Sequence, residues 1–147
     1  MFKRILVGLD GSEHALRAAE FASELAAQSE AELHLVTVTK PYKVTPALRQ
    51  YLEAENLLGE PKYVLGEMTK RIVSDAKEIA RKAGVKKITT EVKEGKPARS
   101  LVEYAKNKDV DLVVVGSRGV GDPEGTLLGS VSQKVSLLAG CACLIIR

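Results

Sequence analysis

The sequence predicts an open α/β fold, in which a parallel five-stranded sheet carries helices on both faces. Apolar runs of strand length alternate with segments of helical periodicity along the whole chain. The runs near the start and at 111–115 are continuously apolar, as is typical of strands covered on both faces. Five of the 12 glycines fall within residues 116–129, directly after the second of these runs. The alternation therefore favours a sheet with a glycine-rich turn at one strand end.

Five strands are predicted, at 2–9, 33–38, 88–93, 111–115 and 142–146. The third alternates apolar and polar residues, which is the pattern of an exposed edge strand. The last is apolar on both faces although it closes the chain and is expected at an edge. An uncovered apolar edge invites pairing with a second copy of the chain, and the alternative is burial of this strand by the chain's own helices.

Capping residues bound the predicted helices. Ser12 is expected to cap the first helix, whose inner face is rich in alanine. Gly84 stops the second, and Pro97 suits the first turn of the third. The helices are predicted over 12–29, 65–83, from 97 onward, and over 130–139, and a shorter one is compatible with 46–57.

Composition bounds the class of protein. The chain has 147 residues, 45% of them hydrophobic and 28% charged, with a net charge of +3. These values predict one globular domain over 1–147 and exclude a disordered chain, a fibre and a disulfide scaffold. No apolar run approaches the roughly 20 residues of a membrane span, and the start does not read as a signal peptide. With Cys141 and Cys143 interpreted as structural thiols, the expected location is the cytoplasm.

A basic segment and two histidines are interpreted as structural or surface features and not as functional sites. Ten Lys and Arg but four acids fall within residues 70–99. Because aromatic residues are scarce and no reader motif accompanies the charge, a solvated face is favoured over nucleic-acid binding. His14 lies in the first helical turn and His34 in mid-strand, and neither has a nucleophile nearby in sequence. A packing or surface role is expected for both.

The chemistry is expected at the carboxyl ends of the first and fourth strands, because ligands of open α/β sheets bind where the strand order reverses. There, glycines let backbone amides approach an anion, and the helix starting at Ser130 attracts phosphate. Arg118 adds a cation, and Asp10 can accept a ribose hydroxyl or hold a divalent cation. The alternative is a surface loop with ordinary helix capping, since a glycine-rich loop alone is a weak signal.

A family resemblance sharpens this hypothesis. Gly116, Gly119, Gly129 and Ser130 match the spacing G-x2-G-x9-G-[S/T], which resembles the signature of the ATP-binding branch of the universal stress protein family. The resemblance covers nearly the whole chain except residues 40–64. It implies the adenine nucleotide alpha-hydrolase-like fold with strand order 3-2-1-4-5. It also implies a homodimer paired through the C-terminal strand.

The resemblance further implies that ATP or AMP lies in the crevice between these strand ends. Asp10 would contact either the ribose or the metal–phosphate region, where it could hold Mg²⁺ through the phosphates. Val38 would hold adenine through its backbone, and Arg118 would lie along the phosphates. The nucleotide-binding residues implied in this way are Leu9, Asp10, Val38, Val115, Gly116, Arg118, Gly119, Gly129, Ser130, Val131 and Ser132.

Three functions compete at this stage. The favoured one is a stress-response regulatory protein that binds an adenine nucleotide. The second is a slow ATPase or phosphotransferase, which the sequence supports less because it offers no dedicated base. The third is an interaction protein without nucleotide, and the intact glycine signature argues against it. No catalytic residue is assigned.

Overall fold

The computed structural model describes residues 1–40, 45–54, 61–121 and 127–147, and its strands form one parallel sheet. The strands lie in the order β3-β2-β1-β4-β5, so the order that the resemblance implied is confirmed. The predicted strand bounds differ from the observed ones by no more than two residues. The strands are β1 (Arg4–Leu9), β2 (Glu32–Thr39), β3 (Ile88–Glu94), β4 (Leu112–Gly116) and β5 (Ala142–Ile146).

The predicted helices are also confirmed, although the helix predicted over 65–83 begins four residues earlier, at Pro61. In the described part of the chain they are α1 (Glu13–Ser29), α2 (Pro46–Ala54), α3 (Pro61–Ala83), α4 (Pro97–Asn107) and α5 (Ser130–Leu138). Helix α2 agrees with the short helix compatible with 46–57, although residues 55–57 lie outside the described residues. Ser12 caps α1 as predicted, since its Oγ accepts a hydrogen bond from the Ala15 N–H at 3.1 Å. Pro97 lies in the first turn of α4, also as predicted.

Both faces of the sheet are covered, which explains the continuously apolar strands. Ile5 and Val7 of β1 are buried in the core shared with α1 and α3, whereas Leu6 between them is buried in the core shared with α4 and α5. The inner face of α1 consists largely of alanines such as Ala18 and Ala22, which are fully buried. These small side chains let the helix lie close against the sheet.

The strand order reverses between β1 and β4, and this places the candidate site. The two strands are parallel neighbours, with Ile5 opposite Leu112 and Val7 opposite Val114. The chain leaves β1 to form α1 on one face and leaves β4 to form α5 on the other. A crevice therefore opens beyond the carboxyl ends of these two strands. The strands β3 and β5 lie at the two sheet edges, as expected.

An ionic cluster joins strands at the opposite, amino-terminal end of β2. Lys87 donates a hydrogen bond to Glu32, whose carboxylate also lies 3.5 Å from the Arg4 Nε and 3.3 Å from the His34 Nε2. The Lys87 ammonium lowers the pKa of the Glu32 carboxyl, and burial only partly opposes this. The ionised form of Glu32 is therefore the one that the folded state favours.

We expect Glu32→Gln to destabilise the protein at neutral pH by up to about 1 kcal/mol, since exposed ion pairs contribute little. A carboxyl with a lowered pKa contributes stability above its ordinary pKa of 4.5 and loses that contribution as the pH falls through its lower folded value. Urea unfolding over a pH series should therefore show the two proteins converging in acid. A difference that persists unchanged in acid would contradict this prediction.

Candidate functional site

A crevice of about 360 Å³ opens at the carboxyl ends of β1, β2 and β4, next to the N-termini of α4 and α5. Its volume lies in the range of small-molecule sites, roughly 300–1,000 Å³. Four separate segments of the chain meet there. All the residues that the resemblance implied for nucleotide binding line this crevice, namely Leu9, Asp10, Val38, Val115, Gly116, Arg118, Gly119, Gly129, Ser130, Val131 and Ser132.

Asp10 joins the turn after β1 to the loop after β4. Its Oδ1 accepts a hydrogen bond from the Ser12 N–H at 2.9 Å, and its Oδ2 accepts one from the Val120 N–H at 3.2 Å. A carboxylate oxygen can accept more than one hydrogen bond, and this side chain is exposed at the crevice. Asp10 can therefore hold the loop and still accept a ligand hydroxyl or contact a cation.

Gly116 is required for a reason that its place in the glycine signature does not reveal. A Cβ at this position would lie 2.7 Å from the carbonyl carbon and the Cβ of His14, and 2.9 Å from the Ala15 nitrogen. The first turn of α1 thus crosses directly against the end of β4. Because most of these atoms are backbone, they cannot rotate away from a larger residue.

The loop after β4 is closed at its base by Ser117. The Ser117 carbonyl accepts hydrogen bonds from the Gly129 N–H at 2.6 Å and from the Ser132 Oγ at 2.9 Å. The Ser132 Oγ also lies 3.0 Å from the Gly129 carbonyl, and the residue is 2% exposed. The Ser132 hydroxyl therefore donates to the loop base, which leaves its backbone amide as the group that can face the crevice.

The first backbone N–H groups of α5 have no hydrogen-bond acceptor within the helix and can bind a ligand. Gly129 is the N-cap residue and makes no side-chain cap, and the first turn holds no acidic residue. The first amides of a helix have no intrahelical acceptor, and the helix dipole places partial positive charge there. Because Ser130 and Val131 line the crevice, these amides form a site suited to an anion.

Sequence reasoning missed several wall residues, including Lys40, Pro97 and Leu101. Lys40 directly follows β2, so the rule that ligands bind at carboxyl strand ends could have found it. Leu101 lies on α4, and no local signal shows which helix covers which strand. The described ionisable residues of the wall are two cations, Lys40 and Arg118, and the Asp10 carboxylate. The described part of the wall therefore carries a net positive charge, which suits an anionic ligand.

His14 has a partner that is distant in sequence. Its Nδ1 lies 2.9 Å from the Oγ of Ser117, on the loop after β4. His34, by contrast, is buried in the core, where its Nδ1 lies 2.7 Å from the hydroxyl of Tyr104. The expected packing role is thus observed for His34, whereas His14 lies beside the crevice.

The remaining chemical candidates do not form a second site. Cys141 and Cys143 are free, half-buried and packed against the same face of the sheet, as predicted from their spacing. Burial raises the pKa of both thiols, which disfavours the reactive thiolate. Within residues 1–40, 45–54, 61–121 and 127–147, no three His, Cys, Asp or Glu side chains cluster as metal ligands. None of the described helices is long and apolar enough to cross a membrane.

Comparison with known proteins agrees with the family signature. The model of the universal stress protein family matches residues 1–147. The universal stress protein YxiE of Bacillus subtilis is 36% identical over 149 residues, which cover 100% of both chains. The universal stress protein MJ0531 of Methanocaldococcus jannaschii is 34% identical over 149 residues, covering 100% of this chain and 83% of the relative.

A solved structure shares the fold. It is a universal stress protein in complex with cAMP, which is 31% identical and superposes with a TM-score of 0.71. The match covers 99% of this chain and 97% of that protein.

Proposed function

Because this chain belongs to the universal stress protein family, we propose that it is a stress-response regulator that binds an adenine nucleotide, foremost ATP, in the crevice. One observation carries the proposal. Residues from β1, β2, β4 and the first turn of α5, which the family resemblance implied for nucleotide binding, line a single crevice of suitable volume. The relative that was solved with cAMP supports an adenine nucleotide as the ligand class.

The polar groups of the crevice follow one another in the order in which a nucleotide carries its adenine, ribose and phosphates. Val38 lies near the end of β2, where its backbone would hold adenine. Asp10, which directly follows β1, would accept a hydrogen bond from a ribose hydroxyl. The amides of Ser130 and Val131 and the Arg118 guanidinium would bind phosphate oxygens. The nucleotide would thus run across the switch point, from β2 over β1 to α5.

A triphosphate is favoured over a monophosphate by the charge of the crevice wall. Lys40, Arg118 and the N-terminus of α5 offer three separate positive contacts, which suits a run of several phosphates better than a single one. A single carboxylate fits Mg²⁺, which keeps several waters and takes most of its other ligands from phosphates. Asp10 would occupy one coordination position of a Mg²⁺ that arrives with ATP.

Binding, rather than rapid catalysis, is the activity that these groups support. Phosphoryl transfer needs a base or a water-orienting group in addition to cations. The Asp10 carboxylate accepts hydrogen bonds from Ser12 and Val120, which hold it in the loop. The proposed role is therefore a nucleotide-dependent signal, with hydrolysis at most slow.

Calorimetric titration tests the proposal. ATP, AMP and cAMP are titrated separately into the wild-type chain, with and without Mg²⁺. We expect micromolar binding of ATP that Mg²⁺ strengthens and weaker binding of AMP. Mass spectrometry of the purified protein should also detect a co-purified adenine nucleotide. Failure of all three nucleotides to bind at millimolar concentration would overturn the proposal.

We also propose that two copies pair through β5. The opposite edge strand, β3, carries the charged residues Glu91, Lys93 and Glu94, which discourage pairing. β5 reads Ala-Cys-Leu-Ile-Ile, and its four last residues are half-buried. Leu137 and Leu138, just before this strand, are 82% and 61% exposed. An apolar edge flanked by exposed leucines suits a second copy of the same chain.

Ile145→Lys should convert this dimer to a monomer, because like charges would face each other across the paired edges. Analytical ultracentrifugation should show the wild type at twice the chain mass of 15.8 kDa and the variant at that mass. Val92→Lys is the matched control, since Val92 is 51% exposed on the other edge strand. A wild-type monomer, or an Ile145→Lys variant that stays folded and dimeric, would contradict the proposal.

The cytoplasmic location expected from composition stays a prediction.

A further inference from the structure

A side-chain hydrogen bond lies directly behind the crevice and joins two segments that are far apart in sequence. The Nδ1 of His14, in the first turn of α1, lies 2.9 Å from the Oγ of Ser117. Ser117 is 2% exposed, and His14 is half-buried. Neither residue belongs to the crevice wall.

Ser117 connects this bond to the proposed phosphate site. Its carbonyl accepts from the Gly129 N–H at 2.6 Å and from the Ser132 Oγ at 2.9 Å, so it sets where α5 begins. Its own N–H donates to the Ile146 carbonyl of β5 at 2.6 Å. Ser117 thus holds the loop base through its backbone, while its side chain alone reaches α1.

The bond acts in parallel with a second one across the crevice. Asp10 accepts from the Val120 N–H at 3.2 Å, which ties the same two segments together at the front. The His14–Ser117 bond ties them at the back, where Gly116 packs against the His14 backbone. Two attachments prevent the loop from pivoting about either one. The amides of α5 therefore keep their position relative to Asp10.

We propose that His14 and Ser117 are positioning residues of the nucleotide site, whose side-chain bond preorganises the loop and the start of α5 for phosphate. This inference rests on the proposed function. A serine beside a histidine nitrogen is also the arrangement of a nucleophile and its base. Here the hydroxyl is buried behind the wall, so it positions the binding groups and does not react. Preorganised donors bind more tightly because less ordering remains to be done on binding.

Four variants test the proposal by calorimetric titration of ATP, well below the unfolding temperature. Ser117→Ala and His14→Ala should each weaken ATP binding about tenfold, as expected for one lost hydrogen bond. The double variant should be no weaker than either single one, because both changes remove the same bond. His14→Asn should retain nearly wild-type affinity, since the asparagine amide can occupy the position of Nδ1.

Ser23→Ala is the matched control. Ser23 is also a buried serine, it belongs to α1 itself, and its hydroxyl donates to the Ala19 carbonyl of the same helix at 2.6 Å. This variant should lower the unfolding temperature and leave ATP affinity unchanged. A merely structural role for Ser117 would give the same pattern, with lower stability and unchanged affinity.

The outcomes separate the two proposals. If the wild type binds ATP and the affinity of Ser117→Ala is within about twofold of the wild-type value, the positioning role alone is overturned. A lost hydrogen bond is expected to weaken binding by more than about twofold. Losses that multiply in the double variant would also overturn it. Absence of nucleotide binding by the wild type would overturn the proposed function, and this inference with it. Rescue by His14→Asn together with non-additive losses would support both.

Discussion

Replacing Gly116 by alanine is expected to abolish nucleotide binding and to lower the free energy of unfolding by about 1–3 kcal/mol, the usual penalty of overpacking. The new Cβ would lie 2.7 Å from the His14 carbonyl carbon and 2.9 Å from the Ala15 nitrogen. Relief of this contact requires α1 and β4 to move apart. That movement would displace Asp10 from the loop after β4, on which the proposed site depends.

Calorimetric titration of ATP and urea unfolding measure the two effects of Gly116→Ala. Gly8→Ala is the matched control, because Gly8 also lines the crevice but its Cβ would meet the Leu101 Cδ1, at the end of a flexible side chain. We expect the control to be milder in both measurements. If Gly116→Ala keeps wild-type affinity and stability, close contact between α1 and β4 is not needed for the fold or for ATP binding, and the prediction is wrong.

Asp10→Ala is expected to weaken ATP binding roughly 10- to 100-fold, since a hydrogen bond to a charged group contributes about 1.5–3 kcal/mol. The substitution removes the acceptor of the Ser12 and Val120 amides as well as the proposed partner of the ribose. It also removes the one protein ligand proposed for Mg²⁺. The strengthening of ATP binding by Mg²⁺ should therefore shrink in this variant.

Asp111→Ala is a close control for Asp10→Ala. Asp111 also accepts two backbone hydrogen bonds, from the Lys3 N–H at 2.8 Å and the Arg4 N–H at 3.3 Å. It lies at the amino-terminal ends of β1 and β4, at the opposite end of the sheet from the crevice. Both variants should lose some stability, but only Asp10→Ala should lose affinity. Equal affinities for ATP in the two variants would place the ribose and metal contacts elsewhere.

Much of the fold follows from local patterns in the sequence. Strand and helix identities depend on periodicity and capping within about ten to twenty residues. The cap at Ser12, the helix start at Pro97 and the apolar strand predicted at 111–115 could therefore each be predicted from one segment alone. The candidate site also follows in outline. Parallel strands place their carboxyl ends at one edge, which makes Asp10 and the glycine-rich segment neighbours once the order is known.

Contacts between distant segments required the folded chain. The apolar pattern shows that a helix has a buried face but not which strand or helix lies against that face, so the contribution of Leu101 to the crevice wall could not be predicted. The same holds for the His14–Ser117 bond, which joins residues separated by 103 positions. The need for glycine at Gly116 likewise arises from the path of α1 across β4. Such contacts depend on how whole elements pack, because periodicity records burial without recording the partner.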